Sequence, residues 1–423
     1  MLVFPATALG GGGGGGSQCP WHPSGPLGLP PEQCRVAYDP KTPSASPYWG
    51  PWTHEPVCVG PKEAGKGAAL CAFVKEDFGG GGGAGLLVVT SPEIAAADHS
   101  VVQDSDPRWW IGHGRRQQQQ QQQQSARSDA PPPFEVREVP GKGLGAVANA
   151  TVRAGDVVLR ERPVLLQLAE VPGAPVNRMQ GLWVLEEGFV RLPPGDQRRV
   201  FGLSRSTGGH VLEDIIRTNT FGVTFNGVGH FGLFPSVAVG FLPPPPPGVC
   251  GRVVAITRFS PRTLELEVVA YKDILPGEEL SISYSMLNML YKDRKRSLRE
   301  WGFDCACALC SSPTAVAASD ARRARLQAVL AALEGPEASS SPPAVAELAD
   351  ELGRLAAREG LEAQAGEFYG TVARAYARAG EAGAARRYAA AAADRLERFA
   401  GYDDDRTARA RGLLREFGGG SGA

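Results

Sequence analysis

The sequence predicts an α+β protein in which short β-sheets form a central domain and α-helices follow at the carboxyl end. Segments that alternate polar and apolar side chains recur between residues 134 and 284, as expected for half-buried strands. Residues 315–417 are instead rich in alanine, arginine, leucine and glutamate, with apolar positions at helical spacing. Between these regions lie Cys305, Cys307 and Cys310, whose close spacing is typical of a metal site. At 423 residues the chain is long enough for two or three domains.

Composition argues against several classes of partner. The chain is 43% hydrophobic and its formal net charge is −1, which describes an ordinary globular protein. Because a dedicated nucleic-acid binder carries a basic surplus, we expect no direct nucleic-acid partner. No apolar run approaches the length of a membrane-spanning helix, so we expect no membrane partner. Residues 1–9 are apolar but lack a basic flank, which makes them a poor signal peptide.

Residues 1–130 form a low-complexity amino-terminal region. Its tracts are glycines at 10–16 and 79–83 and eight glutamines at 117–124, and prolines at 131–133 follow directly after it. Such tracts bury too little apolar surface to offset chain entropy, and we interpret them as linkers or disordered segments. Two strand-like segments, 70–74 and 86–90, lie between them.

Four cysteines in this region leave two interpretations open. They are Cys19, Cys34, Cys58 and Cys71. In an oxidising compartment they can form two disulfides within a small unit, and in a reducing one they can bind a metal. Their long and irregular spacing favours neither interpretation.

The central domain begins at Phe134, where composition changes sharply. Residues 134–139 alternate as a strand, residues 140–145 form a glycine-rich turn, and residues 157–166 are strand-like again. Residues 170–212 predict a helical insertion. Its candidate core contacts are Leu182, Trp183, Leu185, Phe189 and Leu192.

Three later segments of this domain have distinct predictions. Five consecutive prolines at 243–247 favour an extended polyproline stretch and exclude a central strand. Pro276 and Gly277 predict a turn, and residues 279–284 alternate as a strand that ends at Tyr284. The basic run at 292–299 predicts a solvated helix face.

The cysteine triplet has the pattern Cys-x-Cys-x-x-Cys. Three thiolates at this spacing can surround one tetrahedral Zn²⁺, which takes four nitrogen or sulfur ligands in a closed structural site. One ligand must therefore come from elsewhere in the chain. The alternative is three free thiols at the end of a helix.

The carboxyl-terminal region predicts five helices. Their ranges are 319–333, 344–357, 362–379, 382–399 and 404–417, with breaks at glycines such as Gly360 and Gly380. The pair that flanks Gly380 has small and aromatic packing positions and is similar to a tetratricopeptide repeat, so we describe the region as TPR-like.

Three stretches together resemble a known family. Residues 277–280 (Gly-Glu-Glu-Leu) lead to Ser283 and Tyr284, and residues 301–310 read Trp-Gly-Phe-Asp-Cys-Ala-Cys-Ala-Leu-Cys. This pattern looks like the end of a SET domain and its post-SET zinc loop, and it resembles most closely the SET and MYND type and its fungal relatives. The resemblance places a SET domain at 131–304, with an atypical segment at 239–254, the zinc loop at 305–314 and the TPR-like region at 315–417. Segments like 70–97 precede the SET domain in some fungal relatives, so we expect 70–97 to pack on it. In relatives the helical region packs on the SET domain and walls the substrate cleft; the alternative is a solvent-bridging bundle with no role in substrate choice. No cysteine lies between Cys71 and Cys250, so a MYND finger is excluded.

SET domains are protein lysine methyltransferases that use S-adenosylmethionine, and the resemblance assigns a cofactor turn. Lys142, Gly143, Leu144 and Gly145 match the Lys/Arg-Gly-x-Gly that opens the domain. In relatives the backbone of this turn approaches the cofactor closely, which residues without a Cβ permit. The alternative is that the glycines serve only the turn.

The resemblance also assigns individual side chains. Asn219 matches an asparagine at the cofactor, and the alternative is an asparagine that caps a turn after a short helix. Phe303 matches an aromatic residue that contacts the cofactor, and Trp301 is a candidate for the lysine channel; the alternative for both is core packing. Tyr284 is the expected catalytic tyrosine, whose hydroxyl orients the substrate amine.

One segment departs from the family pattern. A SET domain should continue with Asn-His-Ser-Cys, which supplies cofactor contacts and the fourth zinc ligand, whereas residues 239–254 carry the proline run. The departure can reflect a degenerate domain, a misplaced splice junction in the gene sequence, or a locally rebuilt site. Cys250 is the candidate fourth zinc ligand, and water, His230 or no group are the alternatives.

The sequence therefore supports two functions. The first is transfer of a methyl group from S-adenosylmethionine to a lysine of a histone or another protein, by a monomer located in the nucleus or the cytoplasm. The second is a catalytically inactive SET-fold module that binds other proteins. Tyr284, Phe303 and the glycine turn favour the enzyme, whereas the missing Asn-His-Ser-Cys favours the module.

Overall fold

The computed structural model describes most of the chain from Trp49 onward. The described residues are 49–60, 69–78, 84–98, 102, 132–139, 143–170, 176–241, 254–282, 288–300, 304–305, 307–335 and 341–418. The structure mixes strands and helices, which confirms the predicted α+β class. Within these ranges no helix is both long and apolar enough to cross a bilayer.

The strands are short and precede the long helices. The strands are β1 Val57–Val59, β2 Leu70–Lys75, β3 Leu86–Thr90, β4 Phe134–Val139, β5 Gly143–Ala148, β6 Val157–Glu161, β7 Leu165–Leu168, β8 Thr220–Phe225, β9 Val228–Leu233, β10 Ala255–Ser260 and β11 Glu265–Ala270. The helices are α1 Pro92–Ala97, α2 Arg178–Phe189, α3 Pro194–Phe201, α4 Val211–Asn219, α5 Pro235–Phe241, α6 Tyr291–Glu300, α7 Pro313–Glu334, α8 Pro342–Glu359, α9 Ala365–Arg378, α10 Ala382–Phe399 and α11 Asp405–Gly418.

The strands form three sheets around one hydrophobic core. The largest has the order β1-β2-β3-β7-β9-β8, and the other two are β10-β11-β6 and the β4-β5 hairpin. Strand β3 pairs in parallel with β7, so the prediction that the 70–97 segment packs on the following domain is confirmed. All five residues of β3 are buried, as expected for a strand covered on both faces.

The cysteine-containing strands extend this large sheet rather than forming a separate unit. Cys58 on β1 lies opposite Cys71 on β2, with Cα atoms 4.0 Å apart, and their sulfurs form a disulfide. For this pair the structure selects the disulfide interpretation over the metal site. Cys19 and Cys34 lie outside the described residues.

Three predictions of local structure need correction. The single strand expected at 157–166 is two strands in different sheets, because Pro163 has no N–H to donate and interrupts the ladder between β6 and β7. Trp183 is 46% exposed and is not a core residue, because it lies on the face of α2 turned away from the sheet, whereas Leu185 and Phe189 are buried. Residues 279–282 make an isolated bridge with β5 instead of a regular strand.

The helical insertion is anchored by the buried carboxylate of Asp214 on α4. Its Oδ1 accepts hydrogen bonds from the Ser206 and Thr207 amides at 3.0 and 2.8 Å, and its Oδ2 accepts one from the Gly208 amide at 3.0 Å. Burial alone would raise the pKa of Asp214, but these hydrogen bonds outweigh it and lower the pKa to about 2. The ionised side chain therefore stabilises the loop that leads into α4.

We expect Asp214→Asn to destabilise the protein by about 1–2 kcal/mol at pH 7, because the amide loses the charge-assisted hydrogen bonds. A carboxyl group whose pKa is lowered in the folded state contributes its stability above its unfolded pKa and loses it as the pH falls. The difference in unfolding free energy between wild type and variant should therefore shrink between about pH 4 and pH 2. Denaturant unfolding at several pH values measures it, and a difference independent of pH would contradict this account.

The carboxyl-terminal region contains the five helices that the sequence predicts. Helix α7 begins after Ser312, whose side chain accepts a hydrogen bond from the Ala315 amide at 3.2 Å. Helix α8 ends at Gly360, whose φ of 67° is left-handed and favours glycine. This region packs on the sheet domain, because Arg258 on β10 donates to the carbonyl of Glu397 at 3.2 Å and Ser260 donates to Asp403 at 2.6 Å.

Candidate functional site

The glycine-rich turn predicted at 140–145 needs correction, because Gly143, Leu144 and Gly145 are paired with β4 as the start of strand β5, and residues 140–142 lie outside the described part of the chain. Gly143 lies opposite Val139 and has a φ of 72°, a left-handed conformation that glycine adopts without strain. A Cβ on Gly145 would lie 3.0 Å from Cγ2 of Val139 and 3.6 Å from Oε1 of Glu279. The backbone at Gly145 is therefore closely approached by its neighbours. Leu144 is 48% exposed, and Lys142 lies outside the described residues.

The same hairpin borders the segment that leads to Tyr284. The Ala148 amide donates to the Glu278 carbonyl at 2.8 Å, and the Leu280 amide donates to the Ala146 carbonyl at 2.9 Å. Leu280 and Ile282 are buried while Ser281 is half-buried, so the predicted alternation of burial is present without a regular strand. The glycine turn and the segment before Tyr284 are thus brought together by backbone hydrogen bonds.

The end of the atypical segment reaches this place as well. The carbonyl of Ser281 accepts hydrogen bonds from the amides of Val254 and Ala255, both at 3.1 Å. Residues 242–253, which include the proline run and Cys250, lie outside the described part of the chain, as do Tyr284 and Phe303. Their roles in the site stay predictions.

Asn219 is the last residue of α4 and is buried. Its amide nitrogen donates to the carbonyl of Ser204 at 2.7 Å and to that of Ile215 at 2.8 Å. These bonds tie the helix end to the preceding loop, which is the geometry expected for an asparagine that caps a turn. The contact between Asn219 and the cofactor stays a prediction.

The three cysteines of the triplet lie together immediately before α7. Their sulfurs are all within 4.8 Å of one another, and Cys307 is buried while Cys305 and Cys310 are half-buried. Four sulfurs around a tetrahedral zinc ion at about 2.3 Å are separated by roughly 3.8 Å, so the triplet fits three corners of such a site. Burial, followed by repulsion from Cys305, raises the pKa of Cys310 to about 11. A bound cation would relieve that repulsion.

His230 does not join this cluster. Its Nδ1 lies 2.9 Å from the carbonyl oxygen of Val228 and its Nε2 lies 3.0 Å from the hydroxyl of Thr90, within the large sheet. Among the residues that the structure describes, the cluster able to hold a metal consists of the three cysteines. Both ring nitrogens of His230 therefore have partners within the sheet, and Cys250 stays the candidate fourth ligand.

The sequence analysis did not predict a buried polar cluster around the Met289 carbonyl. Arg294 belongs to the basic run that predicted a solvated helix face, yet it is 4% exposed and buried on α6. Its Nη1 and that of Arg323 both donate to the carbonyl oxygen of Met289. The only signal available was its spacing of four residues from Leu298, which puts both side chains on the buried face of α6.

Comparison with known proteins gives one partial relationship. No family model matches the chain. Over 62 residues the chain is 48% identical to the histone-lysine N-methyltransferase SET5 of Candida albicans. This partial match supports a relationship of the chain to SET-domain proteins. The matched stretch covers 14% of this chain and 13% of that protein, so the activity and substrate of the whole relative do not follow for this chain.

Proposed function

We propose that this chain is a SET-fold protein lysine methyltransferase that uses S-adenosylmethionine and belongs near the SET and MYND type, without a MYND finger. The observation that carries the proposal is the backbone pairing of Glu278 and Leu280 with β5. It sets the glycine turn beside the segment that ends in Tyr284, the two parts that methyl transfer needs in one place. The partial likeness to a histone-lysine methyltransferase agrees with it.

The cofactor turn fits the group that the proposal requires. When bound, S-adenosylmethionine supplies an activated methyl group on its sulfonium. A Cβ on Gly145 would crowd Cγ2 of Val139 at 3.0 Å, so the close approach of this side chain favours glycine at this position. In the proposed site the backbone of Gly143, Leu144 and Gly145, with Lys142, holds the cofactor, and Asn219 and Phe303 complete the contacts.

The chain's own residues then prepare the acceptor. A lysine ammonium with a pKa of about 10.4 must lose its proton and its hydration before the nitrogen can attack. In this proposal the Tyr284 hydroxyl forms one hydrogen bond with the substrate amine. This hydrogen bond fixes the direction of the nitrogen lone pair. Trp301 is assigned to the lysine channel, where an aromatic face excludes water.

Zinc has a structural role in this proposal. Cys305, Cys307 and Cys310 hold the ion, with Cys250 as candidate fourth ligand. The ion closes the loop that follows Phe303, and its binding is coupled to the order of that loop. The expected partner is a protein with a target lysine, and the C-terminal helices are the candidate wall of its cleft.

The second candidate is a catalytically inactive SET-fold module that binds proteins. The specific observation in its favour is the proline run in place of Asn-His-Ser-Cys, because prolines lack the N–H groups that such a wall uses to pair with neighbouring strands. Both candidates keep the zinc loop and the helical region. They differ in whether the cofactor binds.

Calorimetric titration of S-adenosylmethionine into the full chain separates the two. We expect saturable, one-to-one binding, and we expect Gly145→Val to weaken it at least tenfold because a Cβ at this position crowds Val139. Gly222→Val is the matched control, since a Cβ on that strand glycine meets nothing within 4 Å. No binding by a folded, zinc-loaded chain would overturn the enzyme and favour the module.

A further inference from the structure

Three arginines of the helical insertion and the helix that follows it point to an unoccupied surface. Arg198 lies on α3, Arg205 lies in the loop that joins α3 to α4, and Arg217 lies on α4. All three are exposed, and among the described residues their guanidinium groups have no hydrogen-bond or ion-pair partner. Because arginine stays protonated in proteins, these groups are permanent positive charges at the surface.

Two carboxylates of the same elements are already occupied. Asp196 on α3 is buried, where its Oδ1 accepts from Nη1 of Arg199 at 3.1 Å and its Oδ2 accepts from the Gly85 amide at 2.7 Å. Asp214 on α4 is buried and accepts the hydrogen bonds of the loop amides. Neither carboxylate therefore neutralises the three exposed guanidinium groups.

Glu213, the half-buried carboxylate of α4, is bound by a different arginine. Nε of Arg178 on α2 donates to its Oε1 at 3.0 Å. This hydrogen bond lowers the pKa of Glu213 below its ordinary value, and the charge of Arg217 lowers it further. Arg217 is therefore near a carboxylate that already has its own partner, and the exposed arginines keep a surplus of positive charge.

Two exposed apolar side chains border these arginines. Val190 follows α2 and is 64% exposed, and Phe201 ends α3 and is 52% exposed. The ring centroid of Phe201 lies 5.1 Å from that of Phe189, and Nε2 of Gln197 on α3 donates to the Val190 carbonyl at 3.1 Å. Arg198 precedes Phe201 by three residues on the same side of α3. Positive charge and apolar area therefore lie side by side.

We propose that the insertion surface, defined as Arg198, Arg205, Arg217, Val190 and Phe201, binds an acidic segment of another protein that also carries apolar side chains. Carboxylates form bidentate, charge-assisted hydrogen bonds with guanidinium groups, and apolar side chains of the same segment cover Val190 and Phe201. A nucleic acid matches the charges, but an aliphatic side chain such as Val190 offers its bases no stacking face. The inference concerns binding and not methyl transfer, so it does not depend on the proposed function.

Fluorescence polarisation on the full chain tests this surface. The probe is a short fluorescein-labelled peptide in which glutamate and aspartate pairs alternate with leucine and phenylalanine. We expect saturable binding at about 50 mM salt that is at least about fivefold weaker at about 300 mM, because salt screens exposed charges. A peptide with glutamine and asparagine in place of its acids should not bind. A peptide with serine in place of its apolar residues should bind at least about threefold more weakly.

Reversing the three charges tests which side chains are used. In the combined variant Arg198→Glu, Arg205→Glu and Arg217→Glu we expect the affinity for the acidic peptide to fall at least about tenfold. Phe201→Ser should lower it about threefold, whereas Leu275→Ser, which removes another exposed apolar side chain, should leave it within about twofold. Thermal unfolding checks that each variant is folded, and glutamine at the same three positions supplies a second variant if the first does not fold.

Three other exposed arginines provide the matched control. Within the part of the chain that the structure describes, the guanidinium groups of Arg153, Arg262 and Arg409 also have no hydrogen-bond or ion-pair partner. Their combined change to glutamate alters the net charge by the same amount at other places on the surface. We expect an affinity within about twofold of the wild type, because salt screens charges beyond about 10 Å. An equal loss in both combined variants would reflect total charge and overturn the assignment of the insertion surface.

Two further results would also overturn the proposal. The first is a folded wild-type chain that does not bind the acidic peptide. The second is a short single-stranded DNA that binds more tightly than the peptide and loses that binding in the combined variant, which would make the surface a nucleic-acid site. Neither result involves S-adenosylmethionine, so failure of the proposed methyl transfer leaves this test unaffected.

Discussion

Cys307→Ser is expected to remove zinc from the protein and to abolish cofactor binding with it. Cys307 is the buried member of the triplet, and a serine hydroxyl is not ionised at neutral pH and does not replace a thiolate ligand. In the proposed site the ion orders the loop that follows Phe303, so we expect a loss of more than about 4 kcal/mol in the free energy of unfolding. Elemental analysis should give about one zinc per wild-type chain and none in the variant.

Two comparisons make this result specific. Cys250→Ser should lower zinc affinity if Cys250 is the fourth ligand, and it should leave zinc content unchanged if water or another group completes the site. Chelation of the wild type should reproduce the effect of Cys307→Ser on S-adenosylmethionine binding. A Cys307→Ser chain that still carries one zinc per molecule would contradict the assignment of the triplet.

Local signals in the sequence were sufficient for the helical region. The glycine breaks after α8 and after α9 coincide with left-handed residues at Gly360 and Gly380, with φ of 67° and 80°. Helix boundaries depend on capping groups and on the few residues around them, which a single sequence displays directly. The clustering of the cysteine triplet could also be predicted, because its three cysteines lie within six consecutive residues.

The sequence did not predict which distant strands pair with one another. Strand β3 pairs with β7 through Leu87 and Leu165, and the disulfide joins Cys58 and Cys71 across two strands whose register nothing local determines. The choice among strand partners is set by the packing of a whole sheet, and a one-residue shift would reverse every side chain. The break at Pro163 shows the same limit. The sequence pattern of a strand continues through this residue, whereas the structure divides the segment into β6 and β7, which belong to different sheets.

Arg294 illustrates why the candidate site was only partly predictable. Its sequence neighbours Lys292, Lys295 and Arg296 are all basic, so charge patterning indicated a solvated face. Arg294 donates to the Met289 carbonyl five residues away, and the same carbonyl accepts a hydrogen bond from Arg323, which is 34 positions from Met289. A single sequence does not display that second contact. Asn219 differs from Arg294, because the sequence analysis had already named its structural alternative. Its side-chain amide donates to two backbone carbonyls, which fits that capping role.

Tyr284→Phe is expected to lower kcat by about 10²-fold or more while leaving zinc content and S-adenosylmethionine affinity unchanged. Phenylalanine keeps the ring and loses only the hydroxyl that orients the acceptor nitrogen. The effect should therefore appear in the chemical step, with KM for the cofactor within about twofold of the wild type. Single-turnover methyl transfer to core histones, with cofactor binding measured on the same sample, tests this.

Tyr271→Phe is the matched control for the loss of a tyrosine hydroxyl. Tyr271 is 6% exposed and packs with Val269 and Phe399, and burial raises its pKa well above the ordinary value, so it stays neutral and serves the packing of the helical region on the sheet. Its replacement should change kcat less than about twofold, since stability and not chemistry depends on it. Equal losses in both variants would indicate a general weakening of the fold. A loss of kcat in Tyr284→Phe alone, with the cofactor still bound, would show that the Tyr284 hydroxyl acts in the transition state. An unchanged kcat in both variants would contradict a role of Tyr284 in the mechanism.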